Sequence, residues 1–396
     1  MLRALTAALV AATLILIPSG CVIARTDEDQ DISFFTDDGA VITDPSATES
    51  LGAPKATFTA EPMETQPEPE PLAQPIQILI SAVGDVTLGG NRKGNPQTTI
   101  YLREFARQNH DYTFAFRNVR DIFESDDLTI ANFEGTLTTR TSGNGNTYQF
   151  RVDPDHINVL TSSSIDMVTF ENNHALDFGQ GGLDDTITAL NNASMPWART
   201  GTPAIRDVNG VKVGMLAYMT LNNPYENVTA QMQADIPALR QLCDVVIVYY
   251  HWGEEAEYVP HSRQLSLGRA TVDAGADLVL GAHSHRVAPI ELYNGRYIVY
   301  SLGNFSFSGN SLPSDMDTFI FQLKLRVEGG TVSTGDMRII PARISSRTDA
   351  NDFAPTPFKE GSTQFDRVIN KMISYGKNMQ YALANYPTVW PESGGQ

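Results

Sequence analysis

The stretch DLVLGAHSH (277–285) begins as an apolar strand and ends on two histidines, His283 and His285. The chain contains only seven histidines. Two further apolar runs, 165–174 and 244–253, also end at a histidine or within two residues of one. Continuous apolar runs of this kind are typical of strands buried on both faces. Because ligands in open α/β sheets bind outside the carboxyl ends of the strands, we expect these strand ends to meet at one site.

Carboxylates follow two earlier apolar runs in the same way. IQILISAVGD (76–85) ends at Asp85, and DLTIANFEG (127–135) carries Glu134. Imidazole nitrogens combined with carboxylate and amide oxygens favour a first-row transition metal such as Mn, Fe or Zn. Bound in a pair, such ions hold a phosphoryl or carbonyl group and activate water near neutral pH. We predict a centre for one or two divalent ions with these ligands: Asp85, Glu134, Asn173, His251, His283 and His285.

The order of the remaining elements predicts an α/β fold. Apolar strands alternate with helical segments that we place at 154–163, 182–192, 230–242, 261–275 and, near the C-terminus, 364–376. After residue 315 two strands follow each other directly, and Glu328–Gly330 reads as the turn of a hairpin. A hairpin indicates a mixed sheet or a second sheet, in place of one purely parallel sheet.

The motifs VGDVTLGG, ANFEGTLT, ENNHALDFGQGG, YYHWGEE, GAHSHRVAPIE and SLGNFSFS together resemble the CapA family of bacterial poly-γ-glutamate capsule proteins. The resemblance covers residues 76–310 and continues more loosely to about 345. It implies the calcineurin-like metallophosphoesterase fold, a sandwich of two mixed β-sheets flanked by helices. We therefore expect that domain at 76–345 and a C-terminal extension at 346–396.

The resemblance also implies roles for individual residues. Asn173 corresponds to a metal ligand and His174 to the catalytic acid that follows it. Asp177 is placed to hydrogen-bond the imidazole of His174 and keep it protonated, although capping the loop would explain it equally well. Metallophosphoesterases carry a histidine two residues after the first aspartate, where this chain has Thr87. That departure puts the number of bound metals in doubt.

Four residues are candidates for contacts with a substrate. Glu254 and Glu257 lie in the loop after His251, where they would either contact substrate or remain solvated charges. Asn304 and Phe305 follow another strand and are expected to line the same cleft.

The N-terminus predicts export. Residues 1–20 read as a signal peptide, and the short apolar run before Cys21 resembles a bacterial lipoprotein signal, apart from Pro18 in place of the usual leucine. Residues 21–75 carry twelve acidic and two basic side chains, which predicts a disordered, extended tether. We expect a protein anchored by lipid to the outer face of the cytoplasmic membrane. The net charge of −18 argues against nucleic acid as a partner.

Three functions are compatible with these features. The first is a metal-dependent hydrolase of phosphoesterase type that acts outside the membrane. The second is a non-catalytic, metal-containing component of capsule synthesis or export, which binds poly-γ-glutamate or assembles with the capsule synthase subunits. The third is a structural lipoprotein whose histidines serve only in packing.

Overall fold

The computed structural model describes residues 74–91 and 99–391. The predicted signal peptide, Cys21 and the tether up to residue 73 lie outside the described residues. Among the helices of the described part, none is both long and apolar enough to cross a membrane.

Strands and helices alternate along most of the described chain. The strands are β1 (Ile76–Thr87), β2 (Leu128–Phe133), β3 (Thr136–Leu137), β4 (Arg151–Val152), β5 (Met167–Thr169), β6 (Trp197–Ala198), β7 (Ala204–Val208), β8 (Val211–Met219), β9 (Val245–His251), β10 (Leu278–Ala282), β11 (Ile290–Tyr293), β12 (Arg296–Val299), β13 (Asn304–Phe307), β14 (Asp317–Glu328), β15 (Thr331–Arg343) and β16 (Thr356–Pro357). The α-helices are α1 (Ile100–Arg107), α2 (Arg120–Phe123), α3 (Ile157–Thr161), α4 (Gly179–Asn192), α5 (Tyr225–Arg240), α6 (Ser262–Asp273) and α7 (Thr363–Gly376). Short 3₁₀ helices lie at Phe114–Phe116 and Pro154–His156.

Two mixed sheets form the body of the fold. The first has the order β16-β15-β14-β1-β2-β5-β6, with β13 also paired to β1, and the second has the order β11-β12-β10-β9-β8-β7. In the first sheet β1 runs parallel to β2 but antiparallel to β14. In the second, β8, β9 and β10 are parallel, and β7 is antiparallel to β8. The predicted α/β sandwich of two mixed sheets is confirmed.

The side chains of β9 alternate between two hydrophobic clusters, and this shows how the sheets and helices pack. Val245, Ile247 and Tyr249 belong to a core that also contains buried side chains of β1 and β2 from the first sheet. Val246 and Val248 face the opposite way, into a cluster formed with helices α5 and α6. Both faces of the strand are therefore buried, which explains why its sequence is continuously apolar. A third cluster covers the outer face of the first sheet with α1 to α4.

The hairpin at the end of the chain follows the predicted turn. Gly329 and Gly330 join β14 to β15 with φ angles of 55° and 77°, and a turn with two positive φ angles matches the twist of the paired strands. Beyond the hairpin, β16 pairs with β15, while Val368 and Met372 of α7 are buried in the core between the sheets. The described part of the predicted extension at 346–396 is therefore packed into the same folded unit.

Candidate metal centre

The predicted ligands lie at the carboxyl ends of strands from both sheets. Glu134 directly follows β2, His251 is the last residue of β9, and His283 is the first residue after β10. Asp85 lies near the end of β1, where a register shift interrupts its pairing with β2. Because the two sheets face each other, these strand ends open onto one shared edge of the sandwich.

Close backbone contact places Asp85 beside Asn304. A Cβ atom on Gly84 would lie 1.8 Å from the carbonyl oxygen of Gly303, so only glycine permits this approach. The backbone N–H of Asp85 donates to that same carbonyl over 2.9 Å, and Asp85 is the register partner of Asn304. The predicted cleft residue Asn304 thus adjoins the first metal-ligand candidate.

The first group of donors converges on His251. Its Nε2 atom lies 2.8 Å from Asn173 Oδ1, 3.1 Å from His283 Nδ1 and 3.8 Å from Glu134 Oε1. Burial holds the pKa of His251 well below its usual value and lowers that of His283 to about 4, with neighbouring histidines adding to the effect. Both imidazoles are therefore neutral near pH 7, which is the protonation state that binds a metal ion.

The second group of donors converges on His285. Its Nδ1 atom lies 3.0 Å from Asp85 Oδ2 and 2.8 Å from Asn304 Oδ1. Burial lowers the pKa of His285, but the hydrogen bond with Asp85 and the charge of Glu134 outweigh it and raise the pKa to about 9. A divalent ion bound here would replace the proton that His285 holds. Possible ligand atoms of Asp85, Glu134 and His285 all lie within 4.8 Å of one another.

Glu134 lies between the two groups and supports a shared metal centre. Its side chain is fully buried, and Oε1 has no hydrogen-bond partner within the described part of the chain. Burial and the charge of Asp85 raise the pKa of Glu134 to about 7. A buried carboxylate oxygen without a partner is costly, and a metal ion ligated by it removes that cost. The nitrogen and oxygen donors around it therefore fit one or two divalent ions.

Thr87 lies two residues after Asp85, at the position where the resemblance implies a histidine. Its side chain is fully buried, and Oγ1 donates a hydrogen bond of 3.1 Å to Glu134 Oε2. Threonine therefore orients the shared carboxylate without supplying a nitrogen ligand. The imidazole near Asp85 and Glu134 is therefore that of His285.

His174 faces the same centre from the loop after β5. Its Nε2 atom lies 4.0 Å from Glu134 Oε1, and its Nδ1 atom lies 2.8 Å from Asp177 Oδ2. Burial lowers the pKa of His174, but the hydrogen bond with Asp177 and the charge of Glu134 leave it raised overall. The backbone N–H of Phe150 also donates to Asp177 Oδ2, over 2.7 Å. The predicted contact between His174 and Asp177 is present, and it leaves Nε2 facing the centre.

Backbone strain accompanies the two histidines that follow β10. The φ angles of His283 and His285 are 96° and 55°, a region that costs a non-glycine residue roughly 1–3 kcal/mol. The positive φ angles at His283 and His285 bend the chain after β10. As a result, His283 lies beside His251, and His285 lies beside Asp85.

Two asparagines orient the ligands, a role that the sequence motifs did not predict for them. Asn132 donates from Nδ2 to Asp85 Oδ1 over 2.7 Å, and the same atom lies 3.4 Å from His251 Nδ1. Asn172 in turn donates to Asn132 Oδ1 over 3.2 Å. Outer hydrogen bonds of this type fix the tautomer and orientation of metal ligands. An amide side chain inside the mostly apolar strand LTIANF was the available sequence signal for Asn132.

A groove of about 180 Å³ opens onto the centre. It is lined by His174, His285 and Asn304, with Glu255 and Arg286 at its walls and the aromatic rings of Tyr148, Phe150 and Phe307 beside them. Phe150 packs against His174 with its ring centroid 4.2 Å away. His285 is the predicted metal ligand that lines this groove directly.

Three predicted substrate contacts lie elsewhere. Phe305 is fully buried and packs against Phe116 and Phe123, so the prediction that it lines the cleft is wrong, and Phe307 takes that place. Side chains alternate along a strand, so Phe305 points away from the face that its neighbour Asn304 presents to the groove. Phe307 would share a face with Phe305 in a regular strand, but the pairing of β13 with β1 shifts register between Asn304 and Phe307. Glu254 and Glu257 line other pockets, and the adjacent Glu255 is the acidic residue of the groove.

Comparison with known proteins places the chain in a family. The model of the family described as bacterial capsule synthesis protein PGA_cap matches residues 79–308. "PGA biosynthesis protein CapA" of Bacillus subtilis is 28% identical over 316 residues, which are 74% of this chain and 77% of that protein. "Capsule biosynthesis protein CapA" of Bacillus anthracis is 26% identical over 295 residues, 68% of each chain.

Similar solved structures include the calcineurin-like phosphoesterase YfkN from Bacillus subtilis, at 18% identity and a TM-score of 0.42, covering 77% of this chain and 98% of that one. The similarity to a phosphatase of Mycoplasma pneumoniae, at 15% identity and a TM-score of 0.42, covers 68% of this chain and 94% of that protein. The match of the family model over more than half of the chain confirms the predicted resemblance: this protein belongs to the bacterial capsule synthesis family PGA_cap, together with the CapA proteins.

Proposed function

We propose that this protein is a metal-dependent hydrolase of phosphoesterase type that works in capsule synthesis. One observation carries the proposal: the buried, unpartnered Oε1 of Glu134 is approached by His251 Nε2 at 3.8 Å and by His174 Nε2 at 4.0 Å. The neutral imidazole of His251 and the imidazole of His174, whose pKa is raised, thus face one carboxylate oxygen. A site used only for packing has no need of this arrangement.

The residues divide into holding and reacting roles. His251, His283, Asn173 and Glu134 would hold one ion, and Asp85 and His285 would hold a second through the same Glu134. When bound, such ions polarise a phosphoryl or carbonyl oxygen and lower the pKa of water. His174 then donates a proton from Nε2 to the leaving group, which typically contributes about 10²–10⁴-fold to the rate. Asp177 holds the imidazole so that Nε2 points into the groove.

The family members supply the biological setting of the proposal. Relatives are described as proteins of PGA or capsule biosynthesis, and a Mycobacterium tuberculosis relative at 25% identity as a probable polyglutamine synthesis accessory protein. We infer that this chain works on or beside poly-γ-glutamate, with capsule synthase subunits as its partners.

Metal content and activity test the catalytic proposal together. Purified protein covering residues 76–396 should contain Mn, Fe or Zn and hydrolyse members of a panel of phosphomonoesters and phosphodiesters. His174→Ala should abolish turnover and retain the metal. His110→Asn, at an exposed histidine outside the groove, is the matched control and should change neither. Equal turnover in His174→Ala and wild type would contradict the proposed role of His174.

A non-catalytic role is the second candidate, and Thr87 favours it. Where the resemblance implies a second imidazole beside His285, the chain has Thr87, whose hydroxyl hydrogen-bonds Glu134. A protein with one firmly held ion could bind the α-carboxylates of poly-γ-glutamate without cleaving the chain. This candidate predicts polymer binding that is unchanged in His174→Ala, together with no turnover in the wild type.

Surface attachment is the remaining part of the proposal. The signal-like residues 1–20 and Cys21 support export and lipid anchoring to the outer face of the cytoplasmic membrane. Cells that express the full chain should incorporate labelled fatty acid into the protein, and Cys21→Ser should lose the label and enter the soluble fraction. Label retained in Cys21→Ser would contradict lipidation at this residue.

A further inference from the structure

Arg286 is a charged residue of the groove that the proposed chemistry does not use. It follows His285 directly and lines the groove together with His174 and Asn304. The half-buried side chain makes two hydrogen bonds, from Nη1 to the carbonyl oxygen of His285 over 2.9 Å and from Nη2 to Ser314 Oγ over 3.1 Å. Both partners are neutral, so neither compensates the charge of the guanidinium.

The aromatic ring beneath Arg286 is itself held firmly. The guanidinium carbon lies 5.6 Å from the ring centre of Tyr258, within the range of a cation–π contact. Tyr258 stacks on Tyr375 at 4.6 Å, and its hydroxyl donates to Asp315 Oδ2 over 2.7 Å. The plane of the guanidinium is therefore positioned before any ligand arrives.

Asp315, the carboxylate hydrogen-bonded to Tyr258, already has a cationic partner. Its Oδ2 atom accepts a hydrogen bond from the ammonium group of Lys371 over 2.6 Å. Across residues 74–91 and 99–391, Arg286 forms no ion pair with a carboxylate within 4.0 Å. Glu255, the acidic residue of the groove, is solvent-exposed, so water screens its charge. An unpaired cation thus borders the same groove as the predicted ligands.

We propose that Arg286 binds an oxyanion of the substrate, a carboxylate or a phosphate, next to the metal centre. Two of the five N–H donors of the guanidinium are used within the protein, and its planar fork matches the paired oxygens of such a group. The inference rests on the proposed function in one respect, because it assigns an anionic substrate to that groove. A site that contains this cation selects against neutral esters and amides.

Binding measurements with two substitutions at Arg286 test this assignment. Arg286→Gln removes the charge, and Arg286→Lys keeps the charge but loses the fork. Arg263→Gln is the matched control, because Arg263 also lies over a tyrosine ring, that of Tyr225 at 6.0 Å, but lines a different pocket. Calorimetry on the full chain would measure the affinity for inorganic phosphate and for a γ-linked glutamate oligomer, with metal and after chelation.

Arg286→Gln should weaken binding of at least one probe about tenfold or more, Arg286→Lys should weaken it less, and Arg263→Gln should leave it unchanged. A loss confined to phosphate assigns a phosphate group, and a loss confined to the oligomer assigns a carboxylate. Affinities of Arg286→Gln within twofold of wild type for both probes overturn the proposal, as does a wild type that binds neither. If the protein binds no metal, the proposed function fails, whereas Arg286-dependent binding after chelation still supports the oxyanion site.

Discussion

His174 and Asp177 form a buried pair, with His174 Nδ1 2.8 Å from Asp177 Oδ2. The carboxylate is fully buried, and a second hydrogen bond from the backbone N–H of Phe150 fixes its position. The pair therefore behaves as one unit that orients His174 Nε2 toward Glu134. Substitutions at Asp177 should act on the imidazole and leave the metal ligands in place.

Asp177→Asn should lower kcat on a phosphoester substrate by roughly 10–100-fold, because partners that orient a reacting imidazole contribute about this much. Metal content should stay at the wild-type level. Steady-state kinetics and elemental analysis on the same preparation check both statements. Asp185→Asn, which removes an ion pair with Arg140 outside the groove, is the control. A loss of metal that parallels the loss of kcat would refute this separation of roles.

Removing single ligands should separate the two ion positions. Glu134→Gln should reduce binding at both positions, since Glu134 is shared. His283→Ala should affect only the ion held with His251, and His285→Ala only the ion held with Asp85. Elemental analysis should therefore show a larger loss for Glu134→Gln than for either histidine variant, provided that the wild type binds two ions.

Metal removal should also lower stability. A ligand at 100 times its dissociation constant stabilises the folded state by about 2.7 kcal/mol. Chelation should reduce the melting temperature of the wild type and have little further effect on Glu134→Gln. An unchanged melting temperature of the chelated wild type, with metal shown to be lost, would count against a stabilising ion.

Thr87→Val should destabilise the protein by about 1–3 kcal/mol, the cost of leaving a buried acceptor without its donor. The substitution keeps the side-chain volume and removes only the hydrogen bond to Glu134 Oε2. Thr87→Ser retains the hydroxyl and serves as the control for that bond. Urea denaturation measures the free energy of unfolding, and equal values for Thr87→Val and Thr87→Ser would contradict the prediction.

The stability of the fold should depend on the ionisation of Asp126. Burial raises the pKa of Asp126 to about 7, although hydrogen bonds from Ser81 and Thr129 act in the opposite direction. The folded-state pKa exceeds the unfolded value of about 3.9, so folding favours the protonated form. Ionisation of Asp126 therefore costs stability increasingly as the pH rises from about 4 to about 7.

Asp126→Asn removes that ionisation and should raise the melting temperature by a few degrees at pH 8. At pH 4.5 the wild-type side chain is largely protonated in the folded state, so the gain there should be much smaller. Thermal unfolding of both proteins at the two pH values tests the sign. The same gain at both pH values would show that burial of the charge is not the cause.

Much of this molecule is determined by local patterns. The apolar run DVVIVYYHWG became β9, buried on both faces, and Glu328–Gly330 became the hairpin turn, because hydrophobic periodicity and glycine conformation act over a few residues. The strand-end placement of Asp85, Glu134, His251 and His283 follows from the same patterns. The fold class and the candidate metal ligands could therefore be predicted from the sequence alone.

Tertiary structure decided which side chains meet. Asn132 contacts both Asp85 and His251, and Arg286 lines the groove without a carboxylate partner among the described residues. Neither relationship is visible in sequence spacing. Phe305 and Phe307 would share one face of a regular strand, yet of the two it is Phe307 that lines the groove, where the pairing of β13 with β1 shifts register. Pairing between distant strands and the packing of two sheets depend on contacts many residues apart, which short-range patterns do not encode.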